Sequence, residues 1–184
     1  MNNRVLIIVA GPPCTGKTTL AGKIAEKFNL LLLHKDGIKE PLMDSLGAEN
    51  REESRKIGIA TYKVLYRLFE AVMRTGNSLV IESNFYAEHD SDQLSSLIRK
   101  YGYTAIQIQC RTDGKVLFER YMERANSGDR HPGHFDLQYQ HIESALMKGY
   151  TEPLKIDGQL IDLDTTDFAK IDYEKLYETI ENAR

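Results

Sequence analysis

A three-layer α/β fold, with a parallel sheet covered by helices on both faces, is predicted by three observations. Short apolar runs alternate with longer segments of helical period along the chain. The runs are continuously apolar, the pattern of strands buried on both faces of a parallel sheet. The first run leads into a glycine-rich turn and then a helical segment, the start of a right-handed strand–helix–strand crossover.

Each element follows from its residues. Residues 5–9 (Val-Leu-Ile-Ile-Val), 30–33 (four leucines) and 79–81 (Leu-Val-Ile) read as strands buried on both faces. Residues 104–109 are a less pure strand, and 160–163 a fifth candidate. Residues 17–28 read as the helix after the glycine-rich turn. Residues 51–75 place Ile57, Thr61, Val64, Leu65, Leu68 and Val72 along one stripe, with Asn50 and Glu53 as a capping pair and Gly76 as a stop. Tyr62, Tyr66 and Phe69 share that helix at core spacing. Further helices are expected over 91–101, before Gly102, over 114–126, over 136–148, before Gly149, and over 168–181. Residues 126–134 are the least regular stretch and read as a mobile loop between two helices. With no repeat, linker or low-complexity tract, 1–184 read as one domain.

Composition narrows the possible functions. Hydrophobic residues are 41% and charged residues 28% of the 184, which is globular and enough to bury a core. The net charge of −3 and the lack of a basic stripe argue against general nucleic-acid binding. Cys14 and Cys110 have no metal-ligand spacing, so neither a disulfide framework nor a structural zinc is expected. The apolar run over 5–10 is too short for a membrane span or a signal segment. A reduced, cytoplasmic setting without membrane attachment is therefore expected.

The glycine-rich turn carries the chemistry. Gly11, Pro12, Pro13, Cys14, Thr15, Gly16, Lys17 and Thr18 match G-x-x-x-x-G-K-S/T, with Thr19 next. The match lies between a strand and a helix, the context this phosphate-binding pattern requires. Glycines let the backbone curl so that amide N–H groups point at an anion, and the helix N-terminus adds about half a positive charge. In such a cradle Lys17 reaches the β- and γ-phosphates, and the Thr18 hydroxyl is placed for Mg²⁺.

Ligands of open α/β sheets sit beyond the carboxyl ends of the strands. After the second strand come His34, Lys35 and Asp36; after the third, Glu82, Ser83 and Asn84; after the fourth, Cys110 and Arg111; after the fifth, Asp164, Thr165 and Thr166. Asp36 should face the cradle across the cleft, where a carboxylate can take the proton of an attacking hydroxyl. Glu82 stands where a strand-end carboxylate usually orders Mg²⁺, although aspartate is the usual residue. Asn84 and Lys39 are candidate substrate contacts; Lys39 and Arg55 fit either solvated helix faces, the commoner role of such charges, or contact with an anionic acceptor. Arg120 and Arg124 share a helix face, and Arg130 follows in the irregular loop. Together they suggest a lid, about 120–136, over a triphosphate. His131 and His134 lack the partners for a zinc site and read as lid or substrate contacts.

With these residues in view, the chain resembles the small P-loop kinases of the adenylate-kinase-like group. The nearest branch is that of polynucleotide kinase, chloramphenicol phosphotransferase and the zeta-toxin-like kinases. The residues that carry the resemblance are 11–19, Asp36, Ile-Glu-Ser-Asn-Phe at 81–85, Phe-Glu-Arg-Tyr-Met-Glu-Arg at 118–124 and Asp-Thr-Thr at 164–166. The resemblance implies a P-loop NTPase fold with a five-stranded parallel sheet in the order 2-3-1-4-5 and a helical lid. It implies ATP and Mg²⁺ as cofactors, with Asp36 as the hydroxyl-activating base. Arg120 would stack on adenine, Arg124 and Arg130 would bind phosphates, and the loop at Asp164 and Thr165 would border the adenine.

Three functions fit. The first is transfer of the γ-phosphoryl group of ATP to a hydroxyl of a small molecule. The second is a polynucleotide 5′-hydroxyl kinase, which needs a basic channel to Asp36. The third is a regulatory NTPase that transfers nothing. The sequence leaves the acceptor's identity and the oligomeric state open.

Overall fold

The computed structural model describes residues 4–138 and 141–183. Five parallel strands form the sheet: β1 (Val5–Ala10), β2 (Leu31–His34), β3 (Leu79–Glu82), β4 (Thr104–Arg111) and β5 (Gln159–Asp164). Their spatial order is β2-β3-β1-β4-β5, as the resemblance implied. β1 is central and completely buried, with Ile8 level with Ile81 of β3 and Gln107 of β4.

The alternation along β1 builds two cores. Leu6, Ile8 and Ala10 pack under α3 (Arg51–Thr75) and α4 (Ala87–Tyr101) with Leu65, Phe69, Met73 and Leu94. Val5, Ile7 and Val9 face α1 (Lys17–Phe28) and α7 (Tyr173–Ala183) with Leu20, Ile24, Leu176 and Ile180. Burying each such side chain contributes about 1.5–3 kcal/mol, so both helical layers are held by the same strand. No helix among the described residues is long and apolar enough to cross a membrane.

Several elements differ from the sequence expectation. The leucines of β2 are not buried on both faces; β2 is an edge strand and Leu31 is 49% exposed. β5 is the other edge and is likewise half-open. A helix that the sequence hid, α2 (Asp36–Leu46), follows β2. Gly37 and Pro41 mask its propensity, yet His34 Nδ1 accepts the Gly37 N–H at 3.1 Å and pins its first turn. On α3 the buried stripe runs through Ile57, Thr61, Leu65, Tyr66, Phe69 and Met73, and Val64 and Leu68 lie outside it, exposed. Asn50 Oδ1 caps Glu53 N at 3.0 Å as expected.

α4 begins at Ala87 rather than 91. Its polar first turn is closed by buried Asp90, which accepts the Tyr86 N–H at 2.7 Å. The helix expected over 136–148 is a 3₁₀ turn, Asp136–Gln138, and a short α6 (Ile142–Leu146). Left-handed backbone at Phe135 and His141 interrupts it, and 139–140 lie outside the described residues. The last helix is also split, into a 3₁₀ turn at Phe168–Lys170 and α7.

Candidate active site

All strands are parallel, so the loops leaving β1, β2 and β3 emerge at one edge of the sheet. A cavity of about 810 Å³ lies there, lined by the cradle, by α2, by α3, by the Glu82–Asn84 segment, by α5 (Gly114–Asn126) and by the loop beyond it.

The cradle is built as the motif requires. Gly11, Cys14 and Gly16 have positive φ of 139°, 66° and 80°, which curls the chain. A side chain at Gly11 would run into the Cys110 carbonyl oxygen, and one at Gly16 would meet Phe168 Cε1 at 2.7 Å. Thr15 Oγ1 ties the curl to the Pro12 carbonyl at 3.0 Å. Buried Lys17 lies across it, donating from Nζ to the same carbonyl at 2.7 Å. Burial pulls the Lys17 ammonium below its usual pKa, and nearby Glu82 offsets part of that. Thr18 Oγ1 donates to Glu82 Oε2 at 3.0 Å. The two residues expected at the metal are therefore adjacent, a hard hydroxyl and carboxylate pair that suits Mg²⁺. Pro13, Cys14, Thr18 and Thr19 line the cavity beside Lys17.

Asp36 is the first residue of α2 and also lines the cavity. It is not a helix cap; that part falls to His34. Its Oδ2 accepts from Arg130 Nη1 at 3.0 Å. Burial alone would raise this carboxyl, but Arg130, His134 and Lys35 outweigh it and hold it below the ordinary carboxylate value. Lys35 lies over the Tyr62 ring, 4.7 Å from its centroid. Lys39, one turn on, is buried and donates to Ser54 Oγ at 2.9 Å. Burial, helped by Lys35, lowers its pKa to about 8. Asn84 lines the same cavity.

The arginines separate into two groups. Arg120 donates to the Thr165 and Thr166 carbonyls at 2.9 and 2.8 Å and stacks on Phe168, 3.9 Å from the ring centroid. Arg124 lies over the cradle side of the cavity; Nη2 reaches Asp136 at 3.4 Å, and its buried Nε has no hydrogen-bond partner among the described residues. Arg130 reaches the same Asp136 oxygen, and its guanidinium is divided among Asp36, Glu40 (3.3 Å) and Asp136 (3.3 Å). Arg124 and Arg130 thus meet at one oxygen of Asp136, and Arg130 also carries Asp36 and Glu40. Of these carboxylates, Glu40 and Asp136 are not among the residues expected from the sequence.

His131 and His134 latch this loop onto α2. His131 Nε2 meets Asp44 at 2.9 Å and His134 Nε2 meets Glu40 at 2.9 Å. Gly133 lies close against Met43. Asp36, Glu40 and His134 bring three ligand-type atoms within 4.8 Å of one another. Arg130 already supplies the positive charge to both carboxylates.

Asp164 and Thr165 do not line the cavity. Asp164 pairs with Arg111 at 3.1 Å, and the buried Thr165 hydroxyl bonds Thr112. Their loop acts through its carbonyls, which fix Arg120, and through Phe168, which the sequence reading took only as a helix start. The visible signal was an aromatic residue on the loop after the last strand.

This site, on a sheet of this order, defines a P-loop protein of the kinase-like type. The family model described as an AAA domain matches residues 6–146, and the chain belongs to that family. It is 36% identical, with a TM-score of 0.93 over all of both chains, to a solved structure from Chloroflexus aurantiacus J-10-fl assigned as a kinase. A gluconokinase from Sinorhizobium meliloti 1021 shares the fold at 14% identity and a TM-score of 0.55, over 98% of this chain and 93% of that one. So does a sugar kinase from Janibacter sp. HTCC2649, at 18% identity and a TM-score of 0.55, over 98% and 94%. No match is found among curated proteins.

Proposed function

We propose that this chain is an ATP-dependent phosphotransferase that moves the γ-phosphoryl group to a hydroxyl of a small molecule. One observation carries this reading: the cradle lysine and the post-strand carboxylate, Lys17 and Asp36, open into the same cavity. The sugar-kinase and gluconokinase neighbours have this fold and support the class.

In this reading the backbone N–H groups of Cys14, Thr15 and Gly16 and the Lys17 ammonium hold the phosphates, and the orphaned Arg124 Nε finds an oxygen there. Thr18 and Glu82 would hold Mg²⁺, which would neutralise charge on the phosphate oxygens. The Arg120–Phe168 stack borders the base. Asp36, ionised at neutral pH, accepts a hydrogen bond from the acceptor hydroxyl and aims its oxygen. As that oxygen bonds to the γ-phosphorus, the bond to the β–γ bridging oxygen breaks and its electron pair leaves with ADP. The hydroxyl proton passes to the Asp36 carboxylate. The 131–134 segment, latched to α2, walls the acceptor end, which favours a small acceptor over a polymer.

An acceptor screen with γ-labelled ATP and Mg²⁺ tests this. Label is expected in a low-molecular-weight alcohol. Slow hydrolysis with no labelled acceptor across a broad metabolite panel would instead support a regulatory NTPase.

A further inference from the structure

We infer that the acceptor carries an anionic group, a carboxylate or phosphate, which Lys39 binds about one helical turn from the hydroxyl held by Asp36. This deepens the kinase reading and rests on it.

The chain as a whole is acidic, with 27 carboxylates against 24 basic residues. The cavity reverses this, with eight lysines and arginines along its wall against Asp36, Glu82 and Asp136. A magnesium-bound triphosphate carries a net charge of about −2, which leaves much of the positive charge unmatched. The surplus lies away from the cradle, at Lys35, Lys39 and Arg55. Arg130 does not add to it, because Asp36, Glu40 and Asp136 already share its charge.

Lys39 is the most informative of these. It is buried, yet among the described residues no carboxylate lies within ion-pair distance, and its hydrogen-bond partner is the neutral Ser54 hydroxyl. A buried ammonium without a counter-ion is costly. The cavity it lines is where an anion would relieve that cost. Arg55, on the exposed rim of α3, faces the same space.

Asp36 and Lys39 are i, i+3 on α2, so both rise from one side of the helix into the same cavity.

Calorimetric binding to the full chain loaded with Mg²⁺ and a non-hydrolysable ATP analogue tests the anion site. The probes are D-gluconate, its neutral counterpart D-sorbitol, D-glucose 1-phosphate and a 5′-hydroxyl oligonucleotide. The expected result is that D-gluconate or D-glucose 1-phosphate binds at least about tenfold more tightly than D-sorbitol, and which of the two wins separates carboxylate from phosphate. Lys39→Met is expected to remove about 10–100-fold of that affinity, the usual strength of a charged hydrogen bond, with analogue affinity retained. Arg55→Gln, at an exposed position, gives a smaller loss in the same direction and guards against misfolding of the Lys39 variant. Equal binding of charged and neutral probes, binding unmoved by either substitution, or preference for the oligonucleotide overturns the inference. Tight anion binding with no labelled product from any probe or metabolite fails the kinase reading instead and leaves the anion site standing.

Discussion

Arg130 Nη1 lies 3.0 Å from Asp36 Oδ2, so a lid residue 94 positions along the chain sits on the carboxylate that the proposed chemistry needs. The same guanidinium also reaches Glu40 and Asp136. The pair therefore ties the acceptor end of the cavity to the lid, and it lowers the proton affinity of Asp36 against the effect of burial.

If Asp36 takes the acceptor proton, Asp36→Asn keeps the size of the side chain and removes the base. Phosphoryl transfer should fall about 10²–10⁴-fold, while affinity for a non-hydrolysable ATP analogue stays within about twofold. Single-turnover transfer and analogue titration check the two halves separately. Wild-type turnover by the variant on the true acceptor would remove Asp36 from the mechanism.

Removing Arg130 should shift the pH dependence in a defined direction. Arg130, with His134 and Lys35, holds the Asp36 pKa down, so in Arg130→Gln burial dominates and the pKa rises. The acidic limb of log kcat/KM against pH should move to higher pH. In the wild type, the stability that Asp36 contributes is present above its unfolded pKa and is lost as pH falls through the lower folded value. The variant should lose part of that contribution, because its folded pKa returns toward the unfolded one. A limb that stays in place would assign the acid-side titration to another group.

The Thr18–Glu82 contact predicts the metal response. Glu82→Gln keeps the strand end packed and removes the charge beside Thr18. The Mg²⁺ concentration for half-maximal activity should rise about 10–100-fold, the usual effect of altering a group that supports a metal. A Mg²⁺ titration at saturating ATP reads this directly, and an unchanged midpoint would leave Glu82 as a structural strand end.

Much of this site was legible in the sequence, for physical reasons that differ by residue. The cradle was clear because Gly11, Gly16 and Lys17 satisfy local backbone and charge requirements that do not depend on distant contacts. Asp36 and Glu82 were clear because a short apolar run that breaks off into polar residues marks the carboxyl end of a strand, even where the strand, as β2, lies at the sheet edge. Glu40, Asp136 and Phe168 were not. Glu40 acts only because α2 forms despite Gly37 and Pro41, and Asp136 only because a short 3₁₀ turn behind the left-handed Phe135 stands where a longer helix was expected. Phe168 matters because it lies under Arg120, a meeting of α5 with the turn beyond β5 that no short-range pattern encodes. The stripe on α3 was rotated for a similar reason: Val64 and Leu68 are apolar, yet the sheet ends before it can cover them.

A pair of glycine substitutions separates the cradle's backbone requirement from general effects on the fold. Gly22, on α1, has nothing within 4 Å of a built Cβ, so Gly22→Ala should be neutral or stabilise by about 0.4–1 kcal/mol through helix propensity and chain entropy. Gly11 has φ 139° and backs onto the Cys110 carbonyl of β4, which as backbone in a central strand cannot move aside cheaply. Gly11→Ala should therefore cost about 1–3 kcal/mol, a drop of about 2–4 °C in Tm for each kcal/mol. It should also open the curl, so ATP-analogue affinity should fall beyond what the Tm loss explains, whereas Gly22→Ala leaves it unchanged. Thermal unfolding with and without the analogue measures both effects. If the analogue still raised the Tm of Gly11→Ala by as much as it raises that of the wild type, the cradle would not require this backbone conformation, and its fit to a polyphosphate would need another explanation.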